Sequence, residues 1–178
     1  MSEPTDSTVT ALPTGSGRRY FLYGLMIAAA VVLFAFSGFM YWQLLQFRRH
    51  RQASDRMEIA IARLAFHRPG HLTDDQWAYC ILLTWNLHSN YGVIPQYLPT
   101  DDLERIVAEL EAKIEAGPDL ATIDWLWDEY FKAYPRARNY DHWRPTLPAN
   151  RSQFEAGAHG GYPLSHWRSE YKRMVSHR

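Results

Sequence analysis

Two histidines followed by two aspartates form the group of side chains in this sequence that most resembles a metal site. His67 and His71 are four residues apart, and Asp74 and Asp75 follow shortly after. Imidazole and carboxylate groups bind zinc and iron, and a bound metal would activate water for hydrolysis. A Pro-Gly pair separates the two histidines, so they need not share a helical face, and aspartates are common in the first turn of a helix. We therefore keep a membrane-tethered, metal-dependent hydrolase as an alternative function and predict no metal, cofactor or catalytic residue.

A second group of carboxylates lies on a tryptophan-rich stretch. Asp124 and Asp128 are four residues apart, with Glu129 beside them, so a helix would place the two aspartates on one face. Such a pair could share a proton or hold a cation. The simpler interpretation, which we favour, is a solvated polar face or a set of partners for arginines from the C-terminal segment.

The single cysteine, Cys80, excludes a disulfide-stapled scaffold and a cysteine-based zinc cluster within one chain. It lies in an apolar stretch, so we expect it to pack as a small hydrophobic residue and not to act as a nucleophile. The G-x-G-x-x-G and G-x-S-x-G motifs do not occur in the sequence. These features favour a protein that is not an enzyme.

The strongest structural signal is an uncharged, apolar stretch near the N-terminus. Residues 20–47 contain no Asp, Glu, Lys, Arg or Pro. A helix of about 26 residues is roughly 39 Å long, which is enough to cross a hydrocarbon core of about 30 Å with some tilt. We predict a transmembrane helix here, with arginines and aromatic residues at its two ends in the headgroup region. The predicted membrane-interface residues are Arg18, Arg19, Tyr20, Tyr41, Trp42, Arg48, Arg49 and Arg51.

Arginines on the two sides of this stretch predict its orientation. Two arginines, Arg18 and Arg19, precede it, whereas four follow it by residue 56. The positive-inside rule therefore favours a cytoplasmic C-terminal domain. The alternative is a twin-arginine-like export signal, since residues 18–22 are RRYFL, and it would place that domain outside the cytoplasm. Gly24 and Ala28 have the small-xxx-small spacing that lets two membrane helices pack closely, so we also consider a homo-oligomer.

Helical periodicity continues beyond the predicted membrane helix. Residues 1–19 begin rich in Ser, Thr, Pro and Gly and predict a disordered tail, whereas residues 48–134 predict a helical domain. An amphipathic helix over residues 53–66 is expected to continue near or directly from the membrane helix. Thr73 and Gln76 form a capping-box pattern, and Thr100 is expected to cap the next helix. Gly92 and Gly117 are expected to end helices.

The apolar residues of these helices predict the core. The stretch from Trp77 to Leu87 is apolar nearly all round, so we expect it at the centre of the domain. Period-two alternation is missing from residues 53–134, so the fold class is all-α, with three or four helices in a small bundle after the N-terminal helix. The other core positions lie on stripes at helical spacing: Leu103, Ile106, Val107, Leu110 and Ile114, then Leu120, Ile123, Trp127, Tyr130, Phe131 and Tyr134.

Residues 135–178 differ in composition from the helical domain. They mix Pro, Gly, Arg and aromatic residues, and we predict an irregular segment with a short helix over Ser165–Val175. Their formal charge is plus five, from eight Arg and Lys against three carboxylates, whereas residues 52–134 carry minus eight, from six against fourteen. We therefore expect the segment to pack on the helical domain, with arginines paired to its carboxylates.

These features together predict a single-pass membrane protein whose small helical domain is an interaction or scaffolding module at the membrane surface. The expected partners are the lipid bilayer and a protein, and no nucleic acid is expected, because the helical domain is acidic. A lipid-binding adaptor, in which the basic segment lies on the bilayer, is a further alternative.

Overall fold

A computed structural model describes the chain over residues 15–90 and 97–177. This part of the chain is mostly helical and contains no strand, which confirms the predicted all-α class. Short 3₁₀ segments and a π-helical turn, Asn86–Asn90, join the α-helices. The described residues form six α-helices, which are α1 Gly15–Arg63, α2 Asp74–Trp85, α3 Thr100–Ala116, α4 Leu120–Ala133, α5 Arg151–Ala156 and α6 Leu164–Ser176.

The chain separates into two compact units, Met1–Leu45 and Gln46–Arg178. Helix α1 runs without interruption to Arg63, so the predicted amphipathic helix of residues 53–66 continues directly from the apolar stretch, and its last three residues form a 3₁₀ turn. In the first unit, the described apolar side chains from Tyr20 onward are all exposed. By length and composition, α1 is the one helix among the described residues that could cross a membrane.

Two helices of the second unit begin with reciprocal caps. The predicted capping box of α2 is confirmed: the Gln76 amide donates to Thr73 Oγ1 at 3.1 Å, and the Thr73 amide donates to Gln76 Oε1 at 2.9 Å. Helix α4 has the same arrangement between Asp119 and Thr122, which the sequence analysis did not identify. These caps satisfy amides that have no partner within the helix.

The predicted cap of α3 is wrong. Pro99 occupies the N-cap position without a side-chain cap, and Thr100 is the first residue of the helix. The Thr100 hydroxyl instead lies 3.3 Å from Nδ1 of His50 on α1. Gly117 ends α3 as predicted, with φ of 99°. The predicted stop at Gly92 falls outside the described residues.

The core of the second unit forms around α2. Trp77, Cys80 and Ile81 are fully buried, as expected for the apolar stretch that starts at Trp77. The Trp77 indole donates to the carbonyl of Leu64 at 2.7 Å, so its one polar group is satisfied. The predicted stripe of α3 is buried along its whole length, from Leu103 to Ile114. On α4, Ile123, Trp127, Tyr130 and Phe131 are buried, whereas Leu120 and Tyr134 are partly buried.

The C-terminal segment is more regular than its sequence suggested. It forms 3₁₀ segments at Pro135–Trp143 and Pro148–Asn150, then α5 and α6. The predicted short helix over Ser165–Val175 is confirmed within α6. The expectation of an irregular stretch before it was wrong, because 3₁₀ turns tolerate prolines at their starts and leave no period of 3.6 residues in the sequence.

Several side chains of the C-terminal segment contact the preceding helices. Leu164 and Trp167 of α6 are buried, and Arg168 donates through Nε to the carbonyl of Ala65 at 2.9 Å. The Tyr79 hydroxyl of α2 donates to Gln153 Oε1 at 3.1 Å. Burial of these groups removes apolar area from water, which stabilises the packed arrangement.

Candidate functional site

The residues predicted at the membrane interface are exposed where the structure describes their side chains. Tyr20 is 76% exposed, Tyr41 is 65% exposed and Trp42 is 53% exposed. The backbone of Arg18 and Arg19 is helical, and their side chains lie outside the described part. Large rings left in contact with water would cost free energy that a lipid headgroup region would recover.

Three arginines of α1 pair with carboxylates of α3. The arginines recur at intervals of seven residues, which is two helical turns, so they lie on one face. Their partners follow in the same order along α3, so the two helices run parallel. The pairs are Arg49–Glu104 at 2.6 Å, Arg56–Glu111 at 2.5 Å and Arg63–Glu115 at 2.5 Å.

These three ion pairs form an Arg ladder between α1 and α3, and the ladder affects which groups Arg49 contacts near a bilayer. Arg49 also bonds Asp101 at 3.1 Å, and its hydrogen bond with Glu104 raises the pKa of its guanidinium. Asp101 and Glu104 therefore supply a counter-charge for Arg49 within the protein, and its contact with lipid headgroups stays a prediction. Arg48 and Arg51 are exposed, and their contact with lipid stays a prediction.

Asp124 and Asp128 are partners of a C-terminal arginine, which confirms the interpretation we favoured. Arg144 lies 3.6 Å from Asp124 and 2.6 Å from Asp128, and it also bonds Asp141 at 2.9 Å. The Thr146 hydroxyl donates to Asp124 as well. Three carboxylates around one guanidinium, with the Thr146 hydroxyl bound to one of them, form a structural ion-pair network.

The aspartates that follow His67 and His71 are engaged in other pairs. Asp74 forms an ion pair with Arg68, with its Oδ1 2.8 Å from Nε, and Asp75 lies 3.2 Å from Nε2 of His159. Among the side chains that the structure describes, no three His, Cys, Asp or Glu residues come together in an arrangement that could hold a metal ion. The two histidines and two aspartates are therefore close in sequence but do not form a metal-binding cluster in the structure.

Cys80 packs as predicted. It is a free thiol with no exposed surface, and burial raises the pKa of the thiol far above its ordinary value. A thiol that does not ionise at neutral pH is a poor nucleophile.

A buried polar network surrounds His88, and the sequence did not predict it. Its Nε2 lies 3.2 Å from the Ser54 hydroxyl of α1, and its Nδ1 lies 2.8 Å from the Tyr130 hydroxyl of α4. The rings of His88 and Tyr130 also stack, with centroids 6.0 Å apart and planes 20° apart. A neutral imidazole has one donor and one acceptor nitrogen, so the two hydroxyls satisfy it in either tautomer.

Burial determines the charge of this network. His88 and Tyr130 have no exposed surface, and burial lowers the pKa of His88 to about 4 and raises that of Tyr130. Both groups are therefore neutral at neutral pH. The Ser-His pair resembles part of a hydrolytic triad, but a tyrosine stands where a carboxylate would hold a protonated ring. This geometry is better suited to holding three helices together than to nucleophilic attack by Ser54.

Two adjoining cavities lie along α2 and share Leu82 and Asn86. The larger has a volume of about 480 Å³ and lies between α2, the 3₁₀ segment that ends at Trp143, and α5. The smaller has a volume of about 300 Å³ and lies between α2 and α6. Volumes of this size are typical of small-molecule sites, and aromatic side chains line both cavities.

Comparison with known proteins assigns this chain to no family: no family model, no curated protein and no solved structure matches it. The contacts, burial and charges described above are therefore what a functional proposal can rest on.

Proposed function

We propose that this chain is a single-pass membrane protein whose helical unit of residues 46–178 is an interaction module at the membrane surface. One observation carries the proposal: the apolar side chains from Tyr20 to Leu45 that the structure describes are exposed. Leu, Ile, Phe and Val in the middle of such a helix each favour insertion by roughly 0.3 to 0.6 kcal/mol. The free energy of this exposed apolar surface is lower in lipid than in water.

Insertion is tested by alkaline carbonate extraction of membranes that contain the full chain. We expect the chain to stay with the membrane. Leu33→Arg, near the middle of the apolar stretch, should release a large fraction, because a central arginine costs about 2.5 to 3.5 kcal/mol on the insertion scale. The matched control is Gln52→Arg, at an exposed position of the same helix beyond the stretch. Release of the unaltered chain by carbonate would contradict the anchor.

The larger cavity along α2 supports the interaction part of the proposal. Its walls include the buried Tyr79, Leu82 and the exposed Trp143, and exposed aromatic residues such as Trp143 contribute strongly to binding energies at protein interfaces. Its polar lining includes Asn150, whose side-chain amide donates to two backbone carbonyls. A partner protein bound in this cavity would therefore contact apolar side chains, with polar groups held in fixed positions at the cavity edge.

Partner binding is tested by chemical crosslinking and affinity capture of the full chain in a mild detergent. We expect Trp143→Ala to reduce capture of a specific protein several-fold, because truncation removes a partly exposed ring from the cavity wall. Tyr97→Ala, at an exposed aromatic outside the cavity, should leave capture unchanged. No captured protein and no self-association would argue strongly against an interaction module.

We further propose the orientation that the flanking arginines favour, with the helical unit on the cytoplasmic side. A topology reporter fused after residue 178 tests it. Reporter activity is expected from the cytoplasm. Export of the reporter, with loss of export in an Arg18→Lys and Arg19→Lys double variant, would overturn this orientation in favour of the twin-arginine-like signal.

A further inference from the structure

The smaller cavity along α2 is an aromatic pocket with a carboxylate at its rim. Four rings line it, from Trp85 at the end of α2, from Tyr162 just before α6, and from His166 and Trp167 in the first turn of α6. Leu82, Asn86 and Glu170, the last of these one turn further along α6, complete the lining. We propose that this aromatic pocket binds an organic cation of the alkylammonium type, such as a choline group.

The rings of the pocket meet at inclined angles and not in a parallel stack. Trp85 and Trp167 are 5.3 Å apart between centroids and inclined by 49°, and Tyr162 and Trp167 are 6.1 Å apart and inclined by 42°. His166 meets Trp167 at 79°. Parallel stacking would cover the ring faces, whereas inclined rings can direct negative π faces toward a common space. A cation within about 6 Å of such faces is attracted to them.

The polar atoms of the pocket are arranged for the same ligand. The indole nitrogen of Trp167 donates to the carbonyl of Tyr162 at 3.1 Å, so the one donor of this ring is already used. Glu170 carries a negative charge, because its hydrogen bond with Arg173 lowers the pKa of the carboxyl. Both hydrogen bonds from Arg173 end on Oε2, so they do not use Oε1.

The charge balance favours a cation over an anion. Glu170 is the one formally charged residue of the lining when His166 is neutral. Arg173 itself is not part of the lining, and its side chain is 59% exposed against 26% for Glu170. Water therefore screens the guanidinium more strongly than the carboxylate. An alkylammonium group also has methyl groups that gain from burial against rings, which a metal ion lacks.

The test is calorimetric titration of the full chain in a maltoside detergent at about pH 8, above the ordinary pKa of histidine. Choline chloride is compared with sodium chloride and with 3,3-dimethyl-1-butanol, the neutral isostere of choline. We expect saturable choline binding that is at least about 10-fold tighter than binding of the isostere, since the two differ in charge and not in shape. Equal affinity for choline and the isostere, or no saturable binding of choline, would overturn the proposal.

Substitutions in the aromatic pocket test whether choline binds there. Tyr162→Leu removes an exposed ring, and Glu170→Gln removes the charge with little change of volume, so each should weaken choline binding about 5- to 10-fold while the helical circular dichroism is unchanged. The matched control is Glu155→Gln, which removes a carboxylate that also has an arginine partner on its own helix but lies outside the pocket. If all three variants bind choline equally, the pocket is not the site.

A second comparison identifies the source of the cation. A short-chain phosphatidylcholine is titrated below its micelle concentration against the phosphatidylglycerol of the same chain length. Tighter binding of the choline lipid than of free choline, lost in Glu170→Gln, assigns the pocket to a lipid headgroup. Equal binding of free choline and the choline lipid assigns it to a small soluble cation. Equal binding of both lipids, without discrimination of the choline group, would contradict the proposal.

Discussion

At the residue scale, His88 shows how position in the fold sets chemistry. The residue sits in a π-helical turn, a geometry that often marks a site where a helix departs from regular packing. The structure places His88 in the core, with two hydroxyls from other helices as its partners.

We predict that the buried His88 makes stability depend on pH. Its pKa is about 4 in the folded chain and about 6.5 in the unfolded chain, so the unfolded state binds more protons between these values. The contribution is fully present above pH 6.5 and is lost as the pH falls toward 4. Between pH 7.5 and 5 the free energy of unfolding should fall by roughly 2 kcal/mol from this residue. Urea unfolding at the two pH values, followed by tryptophan fluorescence, measures it.

The comparison variant is His88→Gln, which keeps a donor and an acceptor but does not titrate. It should be less stable than the unaltered chain at pH 7.5 and should lose less stability on going to pH 5. The same loss in both proteins would assign the pH dependence to other groups.

Gly157 gives a second prediction at this scale. It ends α5 with φ of 62°, and a Cβ built on it would lie 2.4 Å from Cβ of Asp75. Gly157→Ala should therefore destabilise the chain by at least about 1 to 2 kcal/mol, from the left-handed backbone alone. Thermal unfolding measures it, with Gly70→Ala as control, because no atom lies within 4 Å of a Cβ at Gly70. Equal melting of the two variants would contradict the close approach.

At the scale of elements, the Arg ladder sets how α3 lies against α1. The charges are half-exposed, so each pair contributes little by itself, and the buried stripe of α3 contributes most of the packing energy. The ladder instead fixes register, because a shift of α3 by one turn would separate every pair. Arg49, the one ladder arginine that was predicted at the membrane interface, thus also takes part in helix packing.

A double-mutant cycle on Arg56 and Glu111 tests this assignment. We expect a coupling free energy of about 0.2 to 1 kcal/mol in low salt, falling as salt is added, since both side chains are partly solvated. Arg56→Glu combined with Glu111→Arg should recover much of the stability that either single change removes. Additive effects, with no coupling, would show that the pair is not formed in solution.

At the scale of the whole molecule, the C-terminal segment completes the helical unit. Trp167 and Leu164 contribute buried area, and Arg144 and Arg168 reach carboxylates and a carbonyl of the preceding helices. We predict that deletion of residues 136–178 lowers the melting temperature of the helical unit by 10 °C or more, because roughly 4 °C or more is expected per kcal/mol in a domain of this size. Deletion of residues 177–178 alone is the control. Unchanged melting of the longer deletion would reject the packing.

The sequence by itself determined the parts of this protein that depend on local pattern. An apolar run without charged residues forms an apolar helix whatever packs beside it. Thr73 and Gln76 determine where α2 starts, because the cap involves residues only three positions apart. The buried stripe of α3 follows from helical period alone. For the same reason, the all-α class followed from the sequence.

The tertiary structure alone decided which polar residues meet. Ser54, His88 and Tyr130 are 34 and 42 residues apart along the chain, and nothing in the local sequence marks them as neighbours. The pairing of Arg49 with Glu104 and the aromatic pocket beside Glu170 likewise join separate helices. A side chain's charge and partners depend on the dielectric and the groups around it, which helix packing supplies and local pattern does not.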